Sequence, residues 1–354
     1  MLSRVERVRA QLPERGLCGL IVLRRANVQY LSGFSGSNAA LYIDAQGAFL
    51  LSDFRYAEQA AAESPAFTFV LVKGSLLDAV ADLARERRCG DAGVEDDYLS
   101  YRDFCHLGGK MACALKPAAG LVEKMRLVKD EGEIEALARA CRLADEALAE
   151  ILPHVRPGVT ENEVAARLEF VMRLKGSEGA SFETIAASGP RSAMPHATAS
   201  ERLLQTGDLV TLDFGAVWRG YHSDMTRTFV LGAPSPEQER IYRLVLEAQA
   251  LGVEAVRPGI ATKAVDALVR DKITAAGHGE HFGHATGHGV GLAVHENPRL
   301  ADKDETVLAP GMVVTVEPGV YIPGFGGVRI EDSVLVTDKG HRVLTGAPKV
   351  FVLQ

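Results

Sequence analysis

A chain of 354 residues, 47% hydrophobic and 24% charged, has the composition of an ordinary folded protein and room for two domains with separate cores. Its formal net charge of -7 argues against a protein built to neutralise nucleic-acid phosphates, which needs clustered Lys and Arg. No apolar run approaches the roughly 20 residues of a membrane span, and the N-terminal MLSRVERVRAQLPERG lacks the apolar stretch of a secretory signal. A cytoplasmic protein with no membrane and no nucleic-acid partner is expected.

In chain order, CGLIVL, AALYI and GAFLLS read as strands, and RYAEQAAAE and SLLDAVADLARERR as helices. They predict an α/β domain over residues 1–122. Cys18, Cys89, Cys105, Cys113 and Cys141 are odd in number and form no CxxC pair, so they read as reduced core or surface thiols. A Pro/Gly-containing stretch then gives way to a helix-period segment with apolar Ile134, Leu137, Cys141 and Ala144. A second domain is expected over 123–354.

That second part repeats itself. Two segments read helix, RPG turn, helix, with the RPG at 156–158 and again at 257–259. Downstream, GDLVTLDFGA is echoed by PGMVVTVEPGV, so that Gly207, Val210, Asp213 and Gly215 correspond to Gly311, Val314, Glu317 and Gly319. Each copy is a β-branched strand ending in a carboxylate. The following strands bring a further acid each, Asp224 in YHSDMTRTFVL and Glu331 in GVRIEDSVLV, and the second hairpin is three residues longer. Halves packed about a pseudo-twofold axis would bring Asp213 near Glu317 and Asp224 near Glu331.

Any one of these acids alone would read as a salt-bridged strand residue. Four of them ending apolar strands at matching points of a repeat point to a compensating cation, because like charges in a buried site cannot all stay ionised. Between the copies lies HATGHGVGLAVHE, residues 284–296. HExxH is absent, GHGVG is not the GxGxxG of a dinucleotide loop, and the glycines disfavour a helix. The run therefore reads as extended, with one histidine directed at a metal and the glycines giving the backbone close approach to metal and substrate. Four carboxylates and one imidazole make an oxygen-rich site that suits Mn²⁺ or a similar divalent ion, with donors enough for two.

LDFGAVWRGYHSDMTRTF, GHGVGLAVHE, TVEPGVY and VRIEDSVLV resemble the metal-binding blocks of the pita-bread metallopeptidases (peptidase family M24), which include methionine aminopeptidase, aminopeptidase P and prolidase. NVQYLSGFSGSNAALYI, SDFRYAEQA and MRLVKDEGEIEALARA are similar to blocks of the Xaa-Pro peptidases, so the resemblance spans the chain. It implies a creatinase-like α/β N-terminal domain ahead of a pseudo-twofold pita-bread catalytic domain (α/β, α+β class). It implies two divalent metal ions, Mn²⁺ first, with Co²⁺ or Zn²⁺ as alternatives, held by Asp213, Asp224, His288, Glu317 and Glu331, with Asp224 and Glu331 bridging.

By the same resemblance Glu317 doubles as general base and His295 steadies the oxyanion. His284 lines the site of the leaving proline, and His196 completes the pocket. Arg329 supports metal and substrate, and Tyr221 is a substrate-side candidate. His222, His278, His281 and His341 receive no role. A homodimer is implied, with the N-terminal domain mediating it and edging the active site.

The N-terminal domain disfavours a methionine aminopeptidase, and five intact ligands disfavour metal-free creatinase chemistry or an inactive binding protein on the same fold. GFSGSNA and DFRYAEQA resemble small bacterial Xaa-Pro aminopeptidases more closely. The expectation is therefore an aminopeptidase releasing the first residue of proline-second peptides, with a dipeptide-only prolidase as the alternative. No residue stands out in the sequence as a clamp for the carboxylate of a dipeptide.

Overall fold

The computed structural model describes residues 3–354; Met1 and Leu2 of the N-terminal stretch lie outside the described residues. The chain divides into two compact units, one up to Arg126 and one from Leu127 onward. In the first, a six-stranded mixed sheet runs in the order Thr68–Leu71, Ala48–Ser52, Ala40–Asp44, Gly19–Val22, Ala92–Val94, Leu115–Pro117. Strands Gly19–Val22 and Ala40–Asp44 are buried along their whole length, which is why their sequences are apolar runs without alternation. Helix Leu76–Glu86, capped by the Ser75 hydroxyl, packs its Val80, Ala81 and Ala84 onto Ile21, Tyr42 and Leu51. The hairpin Ala40–Ser52 is closed by Asp44, which accepts from the backbone N–H groups of Gln46 and Gly47 at 2.8 and 2.7 Å and pairs with Arg87 at 2.8 Å.

The second unit is built twice, as the repeat requires. Helices Glu131–Ile151 and Glu161–Leu174 accompany the sheet that contains the antiparallel pair Leu209–Phe214 and Met225–Leu231; helices Pro236–Ala255 and Thr262–Ala275 accompany the sheet that contains Val313–Val316 and Asp332–Thr337. The turns match in detail. Gly158 and Gly259 both take a left-handed φ, 87° and 84°, as do Gly207 and Gly311 at 87° and 88°. Gly158 N–H donates to Leu204 O and Gly259 N–H to Leu308 O, both at 2.9 Å. The RPG glycines are thus set by a backbone conformation that a Cβ would strain.

Each hairpin carries a small two-stranded ribbon in its connection, Val217–Trp218 with Tyr221–His222 and Gly319–Ile322 with Gly326–Arg329. These ribbons turn the chain so that acids at the strand ends face one another. The histidine run is extended only over Gly287–Gly289, with a register shift after His288. Its glycines serve a different purpose from the one expected. A Cβ on Gly287 would stand 1.9 Å from Thr315 O, on Gly289 2.3 Å from Asn297 O, and on Gly291 2.7 Å from the Glu296 carboxylate. They let neighbouring strands and the following turn close onto the segment; the space they give up is filled by protein.

Candidate metal centre and active site

Asp213 sits near the end of Leu209–Phe214, and Asp224 just before Met225–Leu231. Glu317 follows Val313–Val316 and Glu331 precedes Asp332–Thr337. All four line one cavity of about 500 Å³ together with His196, His284, His288, His295, Arg299 and Arg329. Ligand atoms of Asp224, His288 and Glu331 lie within 4.8 Å of one another. His288 Nε2 is 3.5 Å from Asp224 Oδ2 and 3.2 Å from Glu317 Oε1, while its Nδ1 donates to Gly289 O at 3.0 Å. That last bond fixes the tautomer and leaves Nε2, on the acid side, as the available donor to a metal.

Arg329 organises the opposite side. It is buried, and it donates from Nη2 to Asp213 Oδ2 at 2.7 Å, from Nε to the Thr226 hydroxyl at 3.0 Å and from Nη1 to Tyr321 Oη at 2.8 Å. Thr226 donates in turn to Glu331 Oε2 at 2.7 Å. With Arg329 donating to its oxygen, the Tyr321 hydroxyl turns its proton to His284 Nε2, 2.9 Å away, and His284 Nδ1 donates to Ala285 O at 2.8 Å. His284 lines the cavity, yet both its ring nitrogens are committed. His295 packs its ring edge-on to His288, 4.5 Å between centroids, and no protein partner takes its ring nitrogens among the described residues.

Tyr221 is not among the cavity residues. Its hydroxyl donates to Glu133 Oε1 at 3.0 Å, so it braces the chain three residues before Asp224 and does not reach toward a substrate. Three residues that the sequence reading left unassigned matter here. Tyr321 stood in the quoted TVEPGVY, and Thr226 in SDMTRTF. Arg299 lines the cavity with an exposed side chain.

The electrostatics test whether a cation fits. Burial lifts the Asp224 carboxyl well above the usual range and the Glu331 charge lifts it further; Glu331 is raised likewise by burial and then by Glu317. Asp213 is raised by burial despite Arg329. Burial also works against Glu317, but the His288 hydrogen bond and charge outweigh it and hold Glu317 at about 2. The protein alone thus cannot keep all four acids ionised. Asp213 Oδ1 and Glu331 Oε1 are buried acceptors with no donor among the described residues, which is costly without a partner. Unsatisfied oxygens, surplus negative charge and an imidazole Nε2 that could exchange Glu317 for a metal form a donor set that a divalent ion would satisfy.

Residues 135–338 match the sequence model of metallopeptidase family M24, and residues 4–128 that of the creatinase/prolidase N-terminal domain. The chain is 39% identical to the Xaa-Pro dipeptidase of Pyrococcus furiosus, over 98% of both chains. A Xaa-Pro dipeptidase from Bacillus anthracis superposes with a TM-score of 0.96 at 45% identity, covering 99% of each chain. The X-Pro aminopeptidase of Thermotoga maritima superposes with a TM-score of 0.92 at 35% identity, covering 99% of this chain and 100% of that one. The chain belongs to metallopeptidase family M24, and its creatinase/prolidase N-terminal domain stands ahead of a pita-bread catalytic domain.

Proposed function

We propose that the protein is a metal-dependent Xaa-Pro dipeptidase. The relatives favour this reading over the aminopeptidase that the N-terminal blocks suggested. The observation that carries it is Arg299, whose guanidinium has no protein partner among the described residues and belongs to the wall of the metal-binding cavity. A dipeptidase needs a cation for the carboxylate of the proline residue, and an arginine fork suits a carboxylate.

Asp213, Asp224, His288, Glu317 and Glu331 would hold two divalent ions, Mn²⁺ first. Bound there, the ions would polarise the scissile carbonyl and make water a better nucleophile at neutral pH. Glu317 accepts from Thr315 Oγ1 at 3.0 Å on Oε1. Its Oε2 is left to accept the proton of the attacking water and pass it to the leaving proline nitrogen. His295, whose pKa burial and the neighbouring His288 push down, is neutral near pH 7 and donates an N–H to the developing oxyanion. His284 acts as a buttress held by Tyr321, and His196 faces the substrate from the opposite loop.

The test is steady-state turnover of an Xaa-Pro dipeptide and an Xaa-Pro-Yaa tripeptide with added Mn²⁺. The dipeptide should be favoured by about 10- to 100-fold in kcat/KM, the value of one or two charge-assisted hydrogen bonds, and Arg299→Met should erase most of that preference. The likeness to the Thermotoga enzyme supports the aminopeptidase as second reading. Turnover of the tripeptide alone would select it.

A further inference from the structure

One wall of the cavity is a loop, 189–200, that supplies Pro195, His196 and Thr198. It leaves strand Ile185–Ser188 and passes through the 3-10 turn Gly189–Ala193. A loop of this kind holds its position only if its polar groups find fixed partners.

Glu161, the first residue of helix Glu161–Leu174, provides them. It is 1% exposed. Its Oε1 accepts from the backbone N–H and the hydroxyl of Ser188, both at 2.7 Å. Its Oε2 accepts from Arg191 Nε at 3.0 Å, and from the N–H and hydroxyl of Ser200 at 3.1 and 2.6 Å. One carboxylate therefore ties both ends of the loop.

The surrounding contacts extend the clamp into the cavity wall. Arg191 Nη2 donates to Thr198 O at 2.5 Å, and Arg202 Nη1, held by Asp208, donates to the Ser188 hydroxyl at 2.6 Å. Gly189 takes a φ of 53°, and a Cβ there would meet the Asp208 carboxylate at 2.6 Å and the Arg202 guanidinium at 2.7 Å. The loop can leave the strand beneath these groups only as glycine. Helix capping does not account for Glu161, because Thr160 and Glu163 already form the capping box of this helix.

We propose that Glu161 is a positioning residue for substrate binding: it fixes loop 189–200 so that His196 and Thr198 stand against the metal-binding acids. The proposal rests on the reading of this cavity as the peptide site. A glutamine in its place keeps one acceptor oxygen, faces Arg191 or the serines with an NH₂ group, and leaves buried donors unmatched. The acids and His288 are carried on other strands and keep their places.

The test compares wild type with Glu161→Gln and Arg191→Met in the Mn²⁺-loaded full chain on an Xaa-Pro dipeptide. Glu161→Gln should raise KM about tenfold with kcat changed less than about threefold, the signature of lost binding rather than lost chemistry, and bound metal should be unchanged. Because the effect runs through His196, the KM effects of Glu161→Gln and His196→Ala should be non-additive, the double variant matching His196→Ala to within about twofold. Additive effects, or metal and kcat lost together with KM, would overturn the proposal.

Hydrogen exchange separates this inference from the activity assignment. Both variants should speed exchange across 189–200 by about tenfold and leave the metal-bearing strands unchanged, whether or not the protein cleaves Xaa-Pro peptides. Unchanged exchange in that loop would refute the clamp. Arg191, partly exposed at 31%, supplies the same readouts if Glu161→Gln does not fold.

Discussion

Arg329 is the side chain on which the charges of the site converge, through Asp213 directly, Glu331 by way of Thr226, and His284 by way of Tyr321. The Tyr321 hydroxyl is the link with no charge of its own. Its removal in Tyr321→Phe leaves Arg329 Nη1 short of an acceptor and His284 held by Ala285 O alone. That substitution should lower kcat/KM for an Xaa-Pro dipeptide about tenfold, the value of one hydrogen bond to a charged group, while bound metal stays within error of wild type. Steady-state kinetics with metal analysis checks it, and an unchanged kcat/KM would remove Tyr321 from the site's support.

At this scale the four candidate acids were legible because a duplicated strand pattern cannot place them at matching apolar ends without a chemical reason, whereas His288 was singled out among its neighbours only by the family resemblance. Arg299 was not legible, since an arginine in NPRL carries no periodic signal and only the pairing of strand Glu296–Leu300 with Gly287–Gly289, which sets Arg299 opposite His288, brings it to the cavity. Tyr221 misled for the converse reason. It lies close to Asp224 in sequence, but its hydroxyl is directed to Glu133 in helix Glu131–Ile151.

Among elements, strand Gly287–Gly289 has no room for a side chain at either of its glycines. Gly287→Ala would press a methyl group onto Thr315 O and push this strand from Val313–Val316. Overpacking of this kind costs about 1–3 kcal/mol, so the variant should melt several degrees lower and bind Mn²⁺ more weakly as His288 moves. A melting temperature equal to wild type would contradict the close approach.

The hairpin Ala40–Ser52 makes a separate prediction about acid. Burial opposes ionisation of Asp44, but Arg87 and two backbone N–H groups outweigh it and hold the carboxyl below its usual range. A lowered folded value means that the stabilisation is present above the unfolded value of about 3.9 and is lost as pH falls through the folded one. The gap in melting temperature between wild type and Asp44→Asn should be full at pH 7 and close below about pH 4. A gap independent of pH would show that Asp44 contributes through shape alone. The other acids titrate in both proteins and cancel.

Several strands and helices of both units were readable from apolar runs and RPG turns. The ribbons that turn the hairpins were not, because two-residue strands such as Val217–Trp218 leave no period to detect.

Over the whole molecule, the pseudo-twofold repeat gathers carboxylates from two halves into one cavity, a surplus of buried charge that a bound cation would offset. Metal held by the folded chain alone adds about 2.7 kcal/mol at a hundred times Kd. Mn²⁺ should therefore raise the melting temperature of chelator-treated protein by a few degrees. No described helix is long and apolar enough to cross a membrane. Charge and repeat symmetry were legible at this scale, but the choice between dipeptide and longer peptide was not, because it depends on what closes the far side of one cavity.

The most direct test of the central claim is a metal titration of the chelator-stripped protein, with bound metal and turnover of an Xaa-Pro dipeptide followed in the same samples. The stripped chain should be inactive, and turnover should appear as Mn²⁺ fills the acid and histidine cluster, reaching its plateau near two ions per chain. Full turnover by the stripped chain, or saturation with metal and no hydrolysis of the Xaa-Pro bond, would contradict it.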